Sequence, residues 1–145
     1  MSAYADTGFI CSVLAPDANT QIALKRMRKQ SLPLAWTWLH ELEFRNAMRL
    51  RVFRKELTQS EADRTIRLIL ADLANGIFER LDPPLPLILT ESERLSAGYS
   101  ASIGTRSLDI LHVGAALVLG VNEFLTFDKR QAALAKSAGL RVPTL

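Results

Sequence analysis

Three aspartates in this chain stand where an unpaired acid is costly. Asp6 lies between Tyr4-Ala5 and Gly8-Phe9-Ile10, Asp109 within Leu108-Asp109-Ile110-Leu111, and Asp128 at the end of Phe124-Leu125-Thr126-Phe127. A carboxylate among apolar neighbours needs a hydrogen-bond partner, a counter-charge or a metal. Each also has an ordinary use: Asp128 as the cap of a following helix, Asp109 against a helix dipole, Asp6 in an Asx turn. A fourth acid is supplied by Glu41 or Glu43. At about 100° per residue, Leu39, Leu42, Asn46, Leu50 and Phe53 share one helix face, with Glu43 at its edge and Glu41 opposite. That placement favours Glu43 as the inward-facing acid and gives Glu41 a surface ion pair with Arg45. Phe44, Met48 and Val52 are left as a second strip, suited to packing or to a dimer surface.

Four clustered carboxylates raise one another's pKa and call for a cationic partner. With oxygen ligands alone the fitting ion is Mg2+ or Mn2+, which keeps several waters. Zinc fits poorly, because His40 and His112 have no ligand spacing and Cys11 is the only cysteine. Oxygen-ligated Mg2+ sites commonly act on phosphate esters, activating a water and offsetting charge on the phosphate. Two basic groups, Lys25-Arg26-Arg28-Lys29 and Arg45-Arg49-Arg51-Arg54-Lys55, suit either a polyphosphate or a solvated helix face.

The elements that must position these acids alternate between strand and helix. Residues 2–5 read as a short strand ending in a turn at Asp6-Thr7-Gly8, followed by a helix over roughly 19–30. A strand near Leu34–Thr37 and a long helix from about Leu39 to Arg54 come next. Thr58-Gln59-Ser60-Glu61 is a capping box opening a helix that ends near Gly76. Ile77–Leu81 reads as a strand, and Pro83, Pro84 and Pro86 break the chain after it. Thr90-Glu91-Ser92-Glu93 reads as a second capping box, opening a helix to about Ile103. Ser107 is expected to cap a buried helix, Leu108–Leu119, stopped by Gly120. Glu123–Phe127 is a strand, Lys129–Ala138 a helix ended by Gly139, and Arg141–Val142 a last strand. Alternation of this kind implies an α/β layer fold with a mainly parallel sheet. Asp6 and Asp128 then fall just past strand C-termini, the edge where such sheets bind ligands.

A chain of 145 residues, 48% of them hydrophobic and 23% charged, suits one globular domain with a core of its own. No apolar run approaches the roughly 20 residues of a membrane helix. The first fifteen residues lack a basic start and carry Asp6, unlike a signal peptide. One cysteine supports no disulfide framework. A cytoplasmic protein is expected.

In its motifs the chain resembles the PIN-domain ribonucleases, particularly the VapC-type toxins of toxin–antitoxin pairs. The matching pieces are Tyr4-Ala5-Asp6-Thr7-Gly8, Glu43-Phe44-Arg45-Asn46-Ala47, Arg106-Ser107-Leu108-Asp109-Ile110-Leu111-His112, and Phe124 to Gln131 with Leu134-Ala135 and Gly139-Leu140. They span essentially the whole chain, residues 1–145 as one domain. The resemblance implies a three-layer α/β/α fold with a central, mainly parallel sheet. It implies Mg2+ or Mn2+ held by Asp6, Glu43, Asp109 and Asp128, hydrolysis of RNA, and Thr7, Asn46 and Thr126 in supporting or substrate-contacting roles. It further implies a homodimer and a cognate antitoxin. The alternative is a catalytically silent PIN-like module that binds RNA or protein; the four filled acid positions speak against it. Asp6-Thr7-Gly8 also matches the aspartic-protease tripeptide, but that chemistry needs a second such aspartate in a β-rich fold. A DNA-directed nuclease would carry more acids and long inserted helices.

Overall fold

The computed structural model describes residues 3–145, so Ser2, which the sequence places in the first strand, lies outside the described residues. Four short strands, β1 (Ala3–Ala5), β2 (Leu34–Trp36), β3 (Phe78–Arg80) and β4 (Glu123–Leu125), are all parallel to their partners. β1 pairs with β4, with Ala5 opposite Leu125, and β2 pairs with β3. β1 also lies beside β2, giving the neighbour order β3, β2, β1, β4, and Arg141 adds an isolated bridge to Glu123.

Side-chain alternation along these strands builds the layers. Ala3 and Ala5, Leu34 and Trp36, and Leu125 point into one core, together with Phe9, Ile10, Phe44, Met48 and Ile69. Tyr4, Ala35 and Phe124 point into the other, with Ile88, Leu95, Val113 and Leu134. The first face is covered by α1 (Thr7–Leu14), α2 (Thr20–Met27), α3 (Trp38–Phe53) and α4 (Gln59–Ala74). The second is covered by α5 (Leu85–Leu95), α7 (Ser107–Leu119) and α8 (Lys129–Ser137); a π-helical turn at Ser96–Ser100 and the short α6 (Ala101–Ile103) join α5 to α7. With both faces covered, this is the expected three-layer α/β/α arrangement.

Several local expectations are corrected. Residues after Asp6 form α1 rather than a bare turn: the Phe9 N–H donates to Asp6 Oδ1 at 2.7 Å, making Asp6 a helix N-cap. The proline-rich stretch starts a helix instead of only breaking one, since proline is accepted in a first turn. Thr90 therefore lies inside α5 and donates to the Pro86 carbonyl at 2.9 Å. The third correction concerns α3. Phe44 and Met48 are fully buried, whereas Leu42 is 66% and Phe53 83% exposed, so beyond Leu39, which is buried, the strip read as inward faces out. Helix α3 carries apolar residues on two sides, and periodicity does not choose between them. Tertiary packing does: Phe44 sits edge-on against Trp36, 5.8 Å between ring centres. The capping box at Thr58 and Glu61 and the stop at Gly120, with φ of 70°, are as read, whereas Ser107 is the first residue of α7 and does not cap it.

Candidate active site

Parallel pairing of β1 with β4 brings their C-terminal ends side by side, and the Asp6 N–H continues the ladder to the Leu125 carbonyl at 3.0 Å. This is why Asp6 and Asp128, so distant in sequence, share an edge. Thr126 ties them together. Its hydroxyl lies 2.7 Å from Asp6 Oδ2 and receives the Asp128 N–H at 3.0 Å. Asp128 also caps α8, accepting the Gln131 N–H at 2.8 Å. Asp109 enters from the first turn of α7, held by Gln131, whose Nε2 donates to the Asp109 carbonyl at 3.2 Å.

The three aspartates line one cavity of about 520 Å³, together with Asp17, Arg106, Cys11 and Ser12. Burial pushes the Asp6 carboxyl up to about 6 against the Phe9 and Thr126 hydrogen bonds, and the Asp109 charge adds to the rise. Asp109 is raised as well, by burial first; Arg106, 3.4 Å away, pulls it back and the Asp128 charge pushes it further up. The acids thus feel one another across the cavity. Thr126 has one proton for two acceptors, Asp6 Oδ2 and Gln131 Oε1 at 2.8 Å. A proton on Asp6 resolves this, because Asp6 then donates to Thr126 and Thr126 to Gln131. Burial drives the Cys11 thiol up to about 12, which removes it as a nucleophile near neutrality.

Glu43 does not line the cavity wall; it stands behind Thr7. The Thr7 hydroxyl donates to Glu43 Oε1 at 2.8 Å, and His112 Nε2 makes a short contact to the same oxygen. Burial works to raise the Glu43 carboxyl, but His112 and Thr7 outweigh it and hold it below the usual range. Burial keeps the Tyr4 phenol protonated, so its O–H donates to His112 Nδ1 at 2.8 Å, placing the imidazole proton on Nε2, toward Glu43. Glu41 lies elsewhere: it accepts from Trp36 Nε1 at 2.6 Å and pairs with Arg80 at 3.2 Å and with Arg45. Asn46 is exposed on α3 and does not line the cavity. His40 is a core histidine, taking the Thr37 N–H at 3.0 Å and giving Nε2–H to the Ala5 carbonyl at 2.8 Å.

Sequence reasoning missed Asp17, Gln131 and Arg106 as neighbours of the acids and His112 as the partner of Glu43. A signal existed for two of them: Arg106 and His112 each stand three residues from Asp109, one helical turn. Neither basic group singled out in the sequence reaches the cavity. Arg51, from the second group, donates to the Pro16 carbonyl at 3.0 Å and pairs with Glu56.

Among the described residues no three His, Cys, Asp or Glu side chains stand ready to enclose an ion unaided. Hard carboxylate oxygens around an open cavity with room for several waters nonetheless fit Mg2+, which takes one or two carboxylates and keeps the rest of its shell as water.

Strand order, layers and an acidic C-terminal sheet edge define the PIN-like α/β fold. Solved chains that share it include a VapC toxin and chains of VapBC complexes. VapC20 from Mycobacterium tuberculosis, described as a sarcin–ricin loop cleaving toxin, superposes with a TM-score of 0.67 and 16% identity, over 91% of this chain and 94% of that one. A chain of VapBC2 from Rickettsia felis, bound to a promoter DNA fragment, gives 0.69 and 11% over 100% and 99%. One from VapBC-1 of nontypeable Haemophilus influenzae gives 0.66 and 15% over 99% and 97%. No family model matches the sequence, and no curated protein matches it. No helix among the described residues is long and apolar enough to cross a membrane.

Proposed function

We propose that this chain is a metal-dependent endoribonuclease, a single PIN-like domain over residues 1–145 that acts in the cytoplasm as the toxin of a type II toxin–antitoxin pair. One observation carries the reading: Asp6, Asp109 and Asp128, drawn from opposite ends of the sequence, line a single cavity. The fold shared with VapC20 and the VapBC chains supports the toxin assignment.

In this reading Asp6, Asp109 and Asp128 hold Mg2+ or Mn2+. When bound, the ion supplies water activation and offsets negative charge on the phosphodiester. The chain's own groups do the positioning. Thr126 fixes the Asp6 carboxylate and, through Asp128, the start of α8. Tyr4, His112 and Thr7 hold Glu43 ionised behind Thr7, outside the cavity wall, where it would take up a proton from the cavity only through Thr7 or intervening water. The exposed strip of Leu42, Leu50 and Phe53 is an apolar surface for an antitoxin or a second copy of the chain.

Incubating the protein with RNA in Mg2+ or Mn2+ tests this. Cleavage is expected with either ion and is expected to vanish in EDTA. Undiminished cleavage in chelator overturns the metal role; RNA binding with no cleavage under any metal favours the silent PIN-like module.

A further inference from the structure

Beside the acidic cavity is a second cleft, of about 290 Å³, formed where the loop before α7 meets the first turn of α8. Arg106, Asp109 and Asp128 line both spaces, but the balance of charge reverses between them. The acidic cavity holds four aspartates and one arginine; the cleft holds Arg106, Lys129 and Arg130 against Asp109 and Asp128. Lys129 and Arg130 are exposed and make no ion pair among the described residues. Arg106 offers only its Nε to Asp109, at 3.4 Å, which leaves both terminal nitrogens of the guanidinium unengaged.

Two further features fit an anion. Helix α7, thirteen residues long, has no side chain capping its N-terminus, so its first N–H groups are free to meet a ligand at the positive end of the helix dipole. Thr105, in the cleft wall, carries a hydroxyl that is buried without a partner, so turning it toward a ligand oxygen breaks no existing bond. A planar guanidinium with two free nitrogens matches a phosphate in bidentate fashion.

We propose that this cleft binds the phosphodiester next to the one being cleaved, with Arg106, Lys129 and Arg130 fixing the register of an RNA strand against Asp6, Asp109 and Asp128. The inference rests on the ribonuclease reading and gives it a substrate requirement. A polyanion crossing Arg106 meets fixed cations on one side and the acid-held ion on the other. A strand lacking charge at the adjoining linkage loses one of its two anchors.

The test pairs chemistry on the RNA with substitution on the protein. Oligonucleotides carrying one neutral methylphosphonate at each linkage around the cut are compared on wild type and on Lys129→Gln/Arg130→Gln. In wild type, kcat/KM should fall about tenfold at one flanking linkage, the scale of a single charge-assisted hydrogen bond. The double variant, which keeps Arg106, should start about tenfold lower and lose clearly less than wild type at that linkage, while remaining equally sensitive at the others. Equal, additive losses in both proteins overturn the proposal. A second readout does not need cleavage: backbone amide shifts on adding a short RNA in chelator. Shifts at Thr105, Arg106, Lys129 and Arg130 that weaken in the variant support the subsite even if no RNA is ever cut, in which case only the nuclease reading falls. Shifts confined to other surfaces, or their absence, refute the subsite even in an active nuclease.

Discussion

Asp6→Asn is expected to lower RNA cleavage by roughly 10³-fold or more, the scale lost when a preorganised group facing transition-state charge is removed, while the protein stays folded. Asparagine keeps the local structure intact. It ranks with aspartate as an N-cap, so the Phe9 N–H retains an acceptor, and its amide N–H can donate to Thr126 as a protonated Asp6 would. What it removes is the charge that a cation needs. Asp109→Asn should behave alike, since Asp109 faces the same cavity. Full activity in both variants, with contaminating nuclease excluded, would remove the acids from the mechanism.

The same substitution has a stability signature whose sign follows from burial. The Asp6 carboxyl, raised to about 6, binds a proton more tightly folded than unfolded. Its contribution is therefore full below the ordinary carboxylate range and is lost as pH rises through about 6. In the absence of metal, Asp6→Asn should be more stable than wild type above pH 7 by up to roughly 3 kcal/mol. The gap should close as pH falls toward 4. Urea melts of both proteins in EDTA across that range measure it; a gap that widens on acidification contradicts the assignment.

Phe44→Ala is expected to cost about 3–5 kcal/mol, the usual range for truncating a buried phenylalanine. Phe53→Ala, at an 83% exposed position on the same helix, should stay within about 0.5 kcal/mol. Phe44 packs on Trp36 in the core under α3 and α4, and no neighbour can fill the space that a ring leaves. This comparison matters for function because the rotation of α3 decides which glutamate turns toward Thr7 and His112. Denaturant midpoints for the two variants decide it: a larger loss from Phe53→Ala would mean that α3 is turned the other way.

That rotation marks where the sequence stops being informative. Alternating strands and helices, the Thr58 capping box and the left-handed glycine at 120 are local signals, and each is expressed locally in the structure. The three aspartates were legible because a charge amid apolar residues has few inexpensive explanations. Helix α3 was not, because its two apolar strips are equivalent until α4 and the strands choose one. Glu43 was preferred to Glu41 partly for its place beside a strip that in fact faces out; what the sequence did foreshadow is the Glu41–Arg45 pair, one turn apart. Helix α1 escaped notice because its signal is a single N-cap before an almost uniformly apolar run. Contacts with His112, Gln131 and Asp17 belong to tertiary structure, joining segments up to about a hundred residues apart.

Binding of Mn2+ to the wild-type protein and to Asp6→Asn, Asp109→Asn and Glu41→Gln, followed by the loss of the free-ion spectroscopic signal, addresses the shared ion itself. The two aspartate variants should each bind at least about tenfold more weakly, a loss that even outer contacts of a metal site produce. Glu41→Gln, engaged with Trp36, Arg45 and Arg80 on another face, should bind as wild type does. Equal affinity in all four proteins would mean that the aspartates at the sheet edge hold no common cation.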